Sequence, residues 1–173
     1  MSKEERVILV DEHDIERGSA EKLRAHVEGE LHRAFSVVVF NRRGEVLLQR
    51  RAAEKYHSGG LWSNTCCGHP RPGEDTALAA RRRLREEMGL DCDLEWICGF
   101  RYRAELRGGL AEHEYDHLFV GRYDGDPHPD PEEVEDWSWV PLDRVRREIA
   151  DAAERYTPWF RHLLERLPTS PGE

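Results

Sequence analysis

The stretch from Gly68 to Leu90 restricts this chain more than any other. Ala77, Leu78, Ala80, Leu84 and Met88 fall on one stripe at helical spacing, and Gly89 stands where a left-handed C-cap ends a helix. Residues 74–88 are therefore expected to form an amphipathic helix with one face in a core. Ahead of it, Gly68-His-Pro-Arg-Pro-Gly-Glu74 is too rich in Gly and Pro for regular structure and makes an approach loop. Paired acids at Glu86 and Glu87 near the helix end suit Mg²⁺ held by one or two carboxylates together with a substrate phosphate. The plainer alternative makes Arg82, Arg85, Glu86 and Glu87 the wet face of the helix, and for the helix alone that alternative is stronger.

Around this segment the punctuation predicts a short strand over 7–10 and a helix beginning at Ser19-Ala20-Glu21-Lys22 with Ser19 as N-cap. Strands over 35–40 and 46–49 form a hairpin through Asn41-Arg42-Arg43-Gly44. Strands over 95–103 and 117–123 flank Gly108-Gly109, residues 137–140 form another strand, and 142–154 and 158–167 form helices. Residues 124–136, with seven carboxylates and three prolines, read as a solvated connection. Strands mixed with helices in irregular order give an α/β (α+β) sandwich, not a repeated βαβ sheet. With 173 residues the chain is expected to be one domain, residues 1–173, with a core over about 7–164 and short flexible termini.

Charge and cysteine usage exclude some functions. Against 26 Lys plus Arg stand 35 Asp plus Glu, a net charge of -9, which argues against a nucleic-acid binder because phosphate backbones need a basic face. A small anionic ligand is not excluded, since it feels local charge. No apolar run is long enough for a membrane span or a signal peptide, and Cys66, Cys67, Cys92 and Cys98 show no CxxC spacing. A soluble, cytoplasmic protein with reduced thiols is expected, acting as a monomer without membrane partners.

Several clusters have the residue types of a site. Cys67 lies in a Gly-Pro-rich loop two residues before His69, where polar neighbours tune a thiol for proton transfer, whereas Cys92 and Cys98 read as small apolar residues. In Glu112-His113-Glu114-Tyr115-Asp116-His117, positions 112, 114 and 116 share one strand face; two carboxylates there need a compensating cation. An exposed edge strand made soluble by charge is the competing account. His26 and His32 converge with them only if the chain folds back. Three imidazoles and two carboxylates suit Mn²⁺ or Mg²⁺, with Zn²⁺ as an alternative. Lys22, Arg51, Lys55 and Arg83 fall in four segments, each near one cluster, and such cations suit a diphosphate. The corner Tyr156-Thr-Pro-Trp159 is core filling or the π face of a site that makes a carbocation.

The spacing Gly68, five residues, Glu74, seven residues, Arg82 resembles the Nudix box, with Arg83 where the hydrolase pattern has a glutamate. That departure disfavours a pyrophosphohydrolase, and a non-catalytic module would leave Cys67, Glu112 and Glu114 without a role. Leu31 to Ser36, Leu61 to Pro70, Phe100 to Ala104, Glu112-His113-Glu114 and Thr157-Pro158-Trp159 together resemble type I isopentenyl diphosphate isomerases. The resemblance implies a Nudix-type α/β/α sandwich with a mixed central sheet. It also implies interconversion of isopentenyl and dimethylallyl diphosphate, an allylic/homoallylic diphosphate pair. It would make His26, His32, His69, Glu112 and Glu114 ligands of one divalent metal, Cys67 and Glu114 the acid/base pair, and Glu87 the holder of a second, diphosphate-bound Mg²⁺. Lys22, Arg51, Lys55 and Arg83 would bind diphosphate, Tyr102 would hydrogen-bond the catalytic carboxylate, and Trp159 would cover the hydrocarbon.

Overall fold

The computed structural model describes residues 5–55 and 57–167. Nine strands and four α-helices follow the chain as β1 (Arg6–Val10), β2 (Glu16–Glu21), α1 (Lys22–Glu28), β3 (His32–Phe40), β4 (Glu45–Arg51), β5 (Trp62–Ser63), β6 (Cys66–Gly68), α2 (Thr76–Met88), β7 (Leu94–Glu105), β8 (Ala111–Arg122), β9 (Val134–Pro141), α3 (Leu142–Asp151) and α4 (Phe160–Leu164). The expected α+β sandwich is present. The termini expected to be flexible lie largely outside the described residues.

β3 is the hub of the sheet. Seven of its nine residues are buried without a break from Ala34 to Phe40, as expected of a strand covered on both faces. It pairs in parallel with β8 from His32↔Glu114 to Phe40↔Arg122 and antiparallel with β6 at Ser36↔Cys67. The turn after Phe40 closes the expected hairpin, but β3 and β4 pair only at Phe40↔Val46; β4 then leaves to pair with β9 and β5. β7 and β8 form a long hairpin that brings Tyr102 opposite Glu114.

Strand alternation sorts the side chains into two cores. Phe35, Val37, Val39, Cys66 and Phe119 pack with Ala80, Leu84 and Met88 of α2. Val38, Phe40, Leu118 and Cys67 lie on the opposite face with Val145 and Ile149 of α3 and Phe160 and Leu163 of α4. α2 begins where Asp75 Oδ1 accepts from Leu78 N (3.0 Å) and ends at Gly89, as the sequence predicts.

Three expectations fail. Ala77 and Leu78, placed on the core-facing stripe of α2, are exposed, Leu78 at 66%, and Ala79 is buried in their stead, because the first turn of α2 projects beyond the sheet it packs on. Ser19 is in β2 opposite Ile8, and α1 starts at Lys22 after Glu21 with no side-chain cap, because strand pairing outcompetes the local capping preference of serine. Nor is the 124–136 segment merely a solvated connection. His128 N donates to Met88 O (2.8 Å) and Asp130 N to Glu87 O (3.0 Å), so it docks on the open carbonyls at the end of α2, and β9 has begun by the buried Val134. Gly89 permits this approach: its φ is +63°, and a Cβ there would stand 2.1 Å from the His128 carbonyl oxygen. Gly89→Ala is expected to cost about 2–5 kcal/mol, the sum of ~1–2 for left-handed backbone and ~1–3 for overpacking. Urea unfolding measures this, and a loss below ~1 kcal/mol would show that the docking is adaptable.

Candidate active site and metal centre

The site is assembled by register. His32 lies beside Glu114 because β3 and β8 pair in parallel, and Cys67 lies beside Ser36 because β6 runs along the other edge of β3. Cys67 and Glu114 thus flank one strand on the same face, roughly 9–10 Å apart across the sheet at two interstrand spacings and offset along it by the four residues from His32 to Ser36, about 13 Å. Both line a cavity of about 800 Å³ with Lys22, Arg51, Lys55, Arg83, Glu87 and Trp159.

One candidate ligand atom each from His26, His32, His69 and Glu114 lies within 4.8 Å of the others. The fold-back that the sequence left open is made by the C-cap of α1, where Gly29 turns the chain into β3. His26 Nδ1 donates to Lys22 O and His32 Nδ1 to Glu30 O, each at 2.8 Å, which orients both rings with Nε2 as the atom left to a ligand. His69 Nε2 is 2.9 Å from Glu114 Oε2. The fit to a divalent cation is seen in orphaned atoms: His32 Nε2 and Glu112 Oε2 are buried without a hydrogen-bond partner. Electrostatics agree. Burial, then the Glu114 charge, drives the Glu112 carboxyl well above its usual range, while the imidazoles of His32 and His69 overcome burial and hold Glu114 well below it. Asp116, next on the same face, is pushed up to about 8 by burial and by Glu114.

The thiol sits apart from the metal cluster. Cys67 Sγ lies 3.3 Å from Asn64 Oδ1 and 3.6 Å from Ser36 Oγ, and Ser36 donates to Asp116 at 2.7 Å. Burial and the Asp116 charge push this thiol up, so it keeps its proton at neutral pH. Cys66 points into the other core and is fully buried. Trp159 Nε1 donates to Asn64 Oδ1 (3.1 Å), so one amide oxygen aligns both thiol and indole.

Cations line the same cavity. Arg51, 7% exposed, has its Nε without a hydrogen-bond partner and stacks 5.3 Å from the Trp159 ring centre. Glu87 accepts from Gln49 Nε2 and Arg83 Nη2, both at 2.6 Å. Lys55 pairs with Glu133, and Arg83 approaches the same carboxylate at 3.5 Å.

A NUDIX domain model matches residues 30–163. The chain is 54% identical over 164 residues to isopentenyl-diphosphate Delta-isomerase 2 of Aromatoleum aromaticum, covering 95% of this chain and 87% of that protein. It is 48% identical over 170 residues to isopentenyl-diphosphate Delta-isomerase of Serratia proteamaculans, covering 98% and 95%. The chain belongs to the isopentenyl-diphosphate Delta-isomerases of the NUDIX superfamily. The crystal structure of DR0079 from Deinococcus radiodurans, 20% identical, superposes with a TM-score of 0.79 over 94% of this chain and 98% of that one. That of a MutT protein from Methanosarcina mazei, 21% identical, gives 0.65 over 79% and 91%. These likenesses show the fold. Among the described residues no helix is long and apolar enough to cross a membrane.

Within this isomerase scaffold every residue singled out from the sequence lies at or beside the cavity, but one contact differs. Tyr102 is the cross-strand neighbour of Glu114, yet its buried hydroxyl has no hydrogen-bond partner and its ring packs on His162 at 4.9 Å. The hydrogen bond expected from Tyr102 to the carboxylate is not made, because opposite residues on paired strands lie side by side without aligning their tips. Three contributors were missed: Ser36, Glu133 and His57. The last stacks on His26 at 5.7 Å in a segment with no periodicity to reveal it.

The buried imidazoles set a pH dependence. Burial lowers His57 to about 2 and His69 to about 3 from the ordinary 6.5. Between those values and 6.5 the unfolded chain binds protons that the folded, metal-free chain refuses, so stability is lost as pH falls below about 6.5. In chelator, the unfolding free energy from urea titration should fall from about pH 7 to pH 5, by up to ~1.4 kcal/mol per pH unit per group. A variant carrying His57→Gln and His69→Gln should flatten the fall; an unchanged slope would exclude these rings as its source.

Proposed function

We propose that this cavity interconverts isopentenyl diphosphate and dimethylallyl diphosphate by an acid/base shift of the double bond between Cys67 and Glu114. The observation that carries the proposal is their placement: a thiol and a carboxylate on opposite flanks of β3, in one cavity that four cations also line. Membership of the isomerase family supplies the substrate.

The chemistry follows from the groups. Adding a proton to the terminal alkene carbon leaves a tertiary carbocation; removing a proton from the carbon on its other side completes the shift. One member of the pair delivers the proton and the other takes one, with roles exchanged in the reverse direction. The buried thiol enters as S–H and Glu114 as carboxylate, which suits donor and acceptor. Trp159, 3% exposed, offers a π face that stabilises a cation by about 2 kcal/mol or more when desolvated, and it excludes water. Lys22, Arg51, Lys55 and Arg83 hold the diphosphate oxygens.

Two divalent ions complete the proposal. His26, His32, His69, Glu112 and Glu114 would hold Mn²⁺ or Mg²⁺, with Zn²⁺ as the alternative, compensating the buried carboxylates and keeping Glu114 ionised. Glu87, whose oxygens retain a lone pair beyond their bonds to Gln49 and Arg83, would share a Mg²⁺ with the diphosphate. The four cysteines are free thiols, which supports a cytoplasmic setting. The proposal takes the protein as a monomer folding as one unit over about 7–164.

Incubation with isopentenyl diphosphate and Mg²⁺ in deuterated water, followed by NMR, tests this. Dimethylallyl diphosphate carrying deuterium is the expected product; released phosphate alone would overturn the assignment in favour of hydrolysis. Cys67→Ala should lower turnover at least about 10²–10⁴-fold, the usual worth of a positioned acid or base, with metal content unchanged. Cys66→Ala should keep substantial activity, and inactivity of that variant with a folded core would reverse the cysteine assignment.

A further inference from the structure

We infer that Asn64 is a positioning residue of the isomerisation, whose side-chain amide holds the Cys67 thiol and the Trp159 indole in one fixed relation. This rests on the acid/base reading above and adds to it a residue outside the reacting pair, the four cations and the metal centre.

The amide has a single orientation. Asn64 lies between β5 and β6 in the chain and is fully buried. Both hydrogens of its Nδ2 go to backbone carbonyls, Val37 O of β3 at 3.0 Å and Cys66 O of β6 at 2.9 Å. A carbonyl can only accept, so a flipped amide would set oxygen against oxygen at both contacts. Oδ1 must therefore face the other way, and leaving either carbonyl unpaired in this buried setting would be costly.

That oxygen gathers three donors. Trp159 Nε1 donates at 3.1 Å, Ser63 Oγ at 2.8 Å and the Cys67 thiol at 3.3 Å. The other polar neighbour of the thiol, Ser36 Oγ at 3.6 Å, gives its own proton to Asp116 and so meets the sulfur with a lone pair. The corner that carries Trp159 is tied to the same loop, since Ser63 Oγ lies 2.9 Å from Thr157 Oγ1 and Thr157 N donates to Trp62 O at 2.9 Å. Asn64 thus joins β3, the strand that carries the thiol, and the corner that carries the indole. In the proposed reaction the cation forms beside the thiol and is stabilised by the indole, so the relation between the two decides how well the transition state is met. A displacement of about 1 Å can cost roughly 10²-fold in rate. The bonds of Asn64 engage none of Lys22, Arg51, Lys55 and Arg83, so substrate binding should be spared.

Kinetic constants with isopentenyl diphosphate and Mg²⁺ test the inference. In Asn64→Ala, kcat is expected to fall about 10²-fold while KM stays within about threefold and metal content is unchanged. Trp159→Phe keeps an aromatic face and deletes the donated N–H; its kcat should fall about tenfold, the worth of one hydrogen bond. A readout independent of turnover is the Trp159 indole N–H resonance in a proton–nitrogen correlation spectrum, assigned by its absence in Trp159→Phe. Asn64→Ala should move it upfield, as for a lost hydrogen bond. A kcat within about twofold of wild type in either variant, a loss carried by KM, or an unmoved resonance would overturn the role of Asn64 if Cys67→Ala is inactive, and would leave the acid/base pair standing. Full activity of Cys67→Ala would remove that pair, and this inference with it. Should Asn64→Ala fail to fold, the kcat and KM of Trp159→Phe decide alone.

Discussion

Three carboxylates on one buried face of a single strand cannot all stay ionised without positive charge beside them, and the architecture around β8 answers that demand. Glu112, Glu114 and Asp116 are each 5% exposed or less. Desolvation of even one ion costs several kcal/mol after relaxation, so three in a row would defeat folding if left alone. The parallel neighbour β3 brings His32, the loop after β6 brings His69, and α1 brings His26, while Ser36 donates to Asp116. The ring nitrogens turned toward these carboxylates are where a divalent cation would meet the demand.

The same separation of charge explains how an acidic protein takes a polyanionic ligand. The net charge of -9 is an average over unlike regions. The cavity is lined by Glu112, Glu114, His57 and His69 and by four cations, with Glu87 and Glu133 seated among those cations as counterions. Docking of the 124–133 segment on the end of α2 carries Glu133 there, so its acidity contributes to the site as well as to solubility.

Much of this was legible in the sequence, for identifiable reasons. α2 declared itself because the helical spacing of Ala80, Leu84 and Met88 agrees with its terminal glycine, even though Ala77 and Leu78 of the same stripe face solvent. The face shared by 112, 114 and 116 followed from the two-residue period of any strand, and the same alternation separates Cys67 from Cys66. Failures came where tertiary contacts outweigh local preference. Ser19 is a good cap but a paired strand residue, and acids with prolines look solvated until a helix end offers them carbonyls. His57 and the position of the Tyr102 hydroxyl were not legible, since neither periodicity nor spacing records which rings stack or where a phenol tip ends.

The parallel pairing of β3 with β8 has a consequence for how the protein comes into being. His32 and Glu114 are 82 positions apart along the chain, and parallel strands close such loops only after the intervening segments have been accommodated. Lys22 stands near one end of the described chain and Trp159 near the other, so the cavity requires almost the whole polypeptide. A nascent chain on the ribosome has no partial version of this centre, and the buried acids of β8 meet their imidazoles late. The meeting of His32 with Glu114 during refolding therefore marks the completion of the sheet, not the collapse that precedes it.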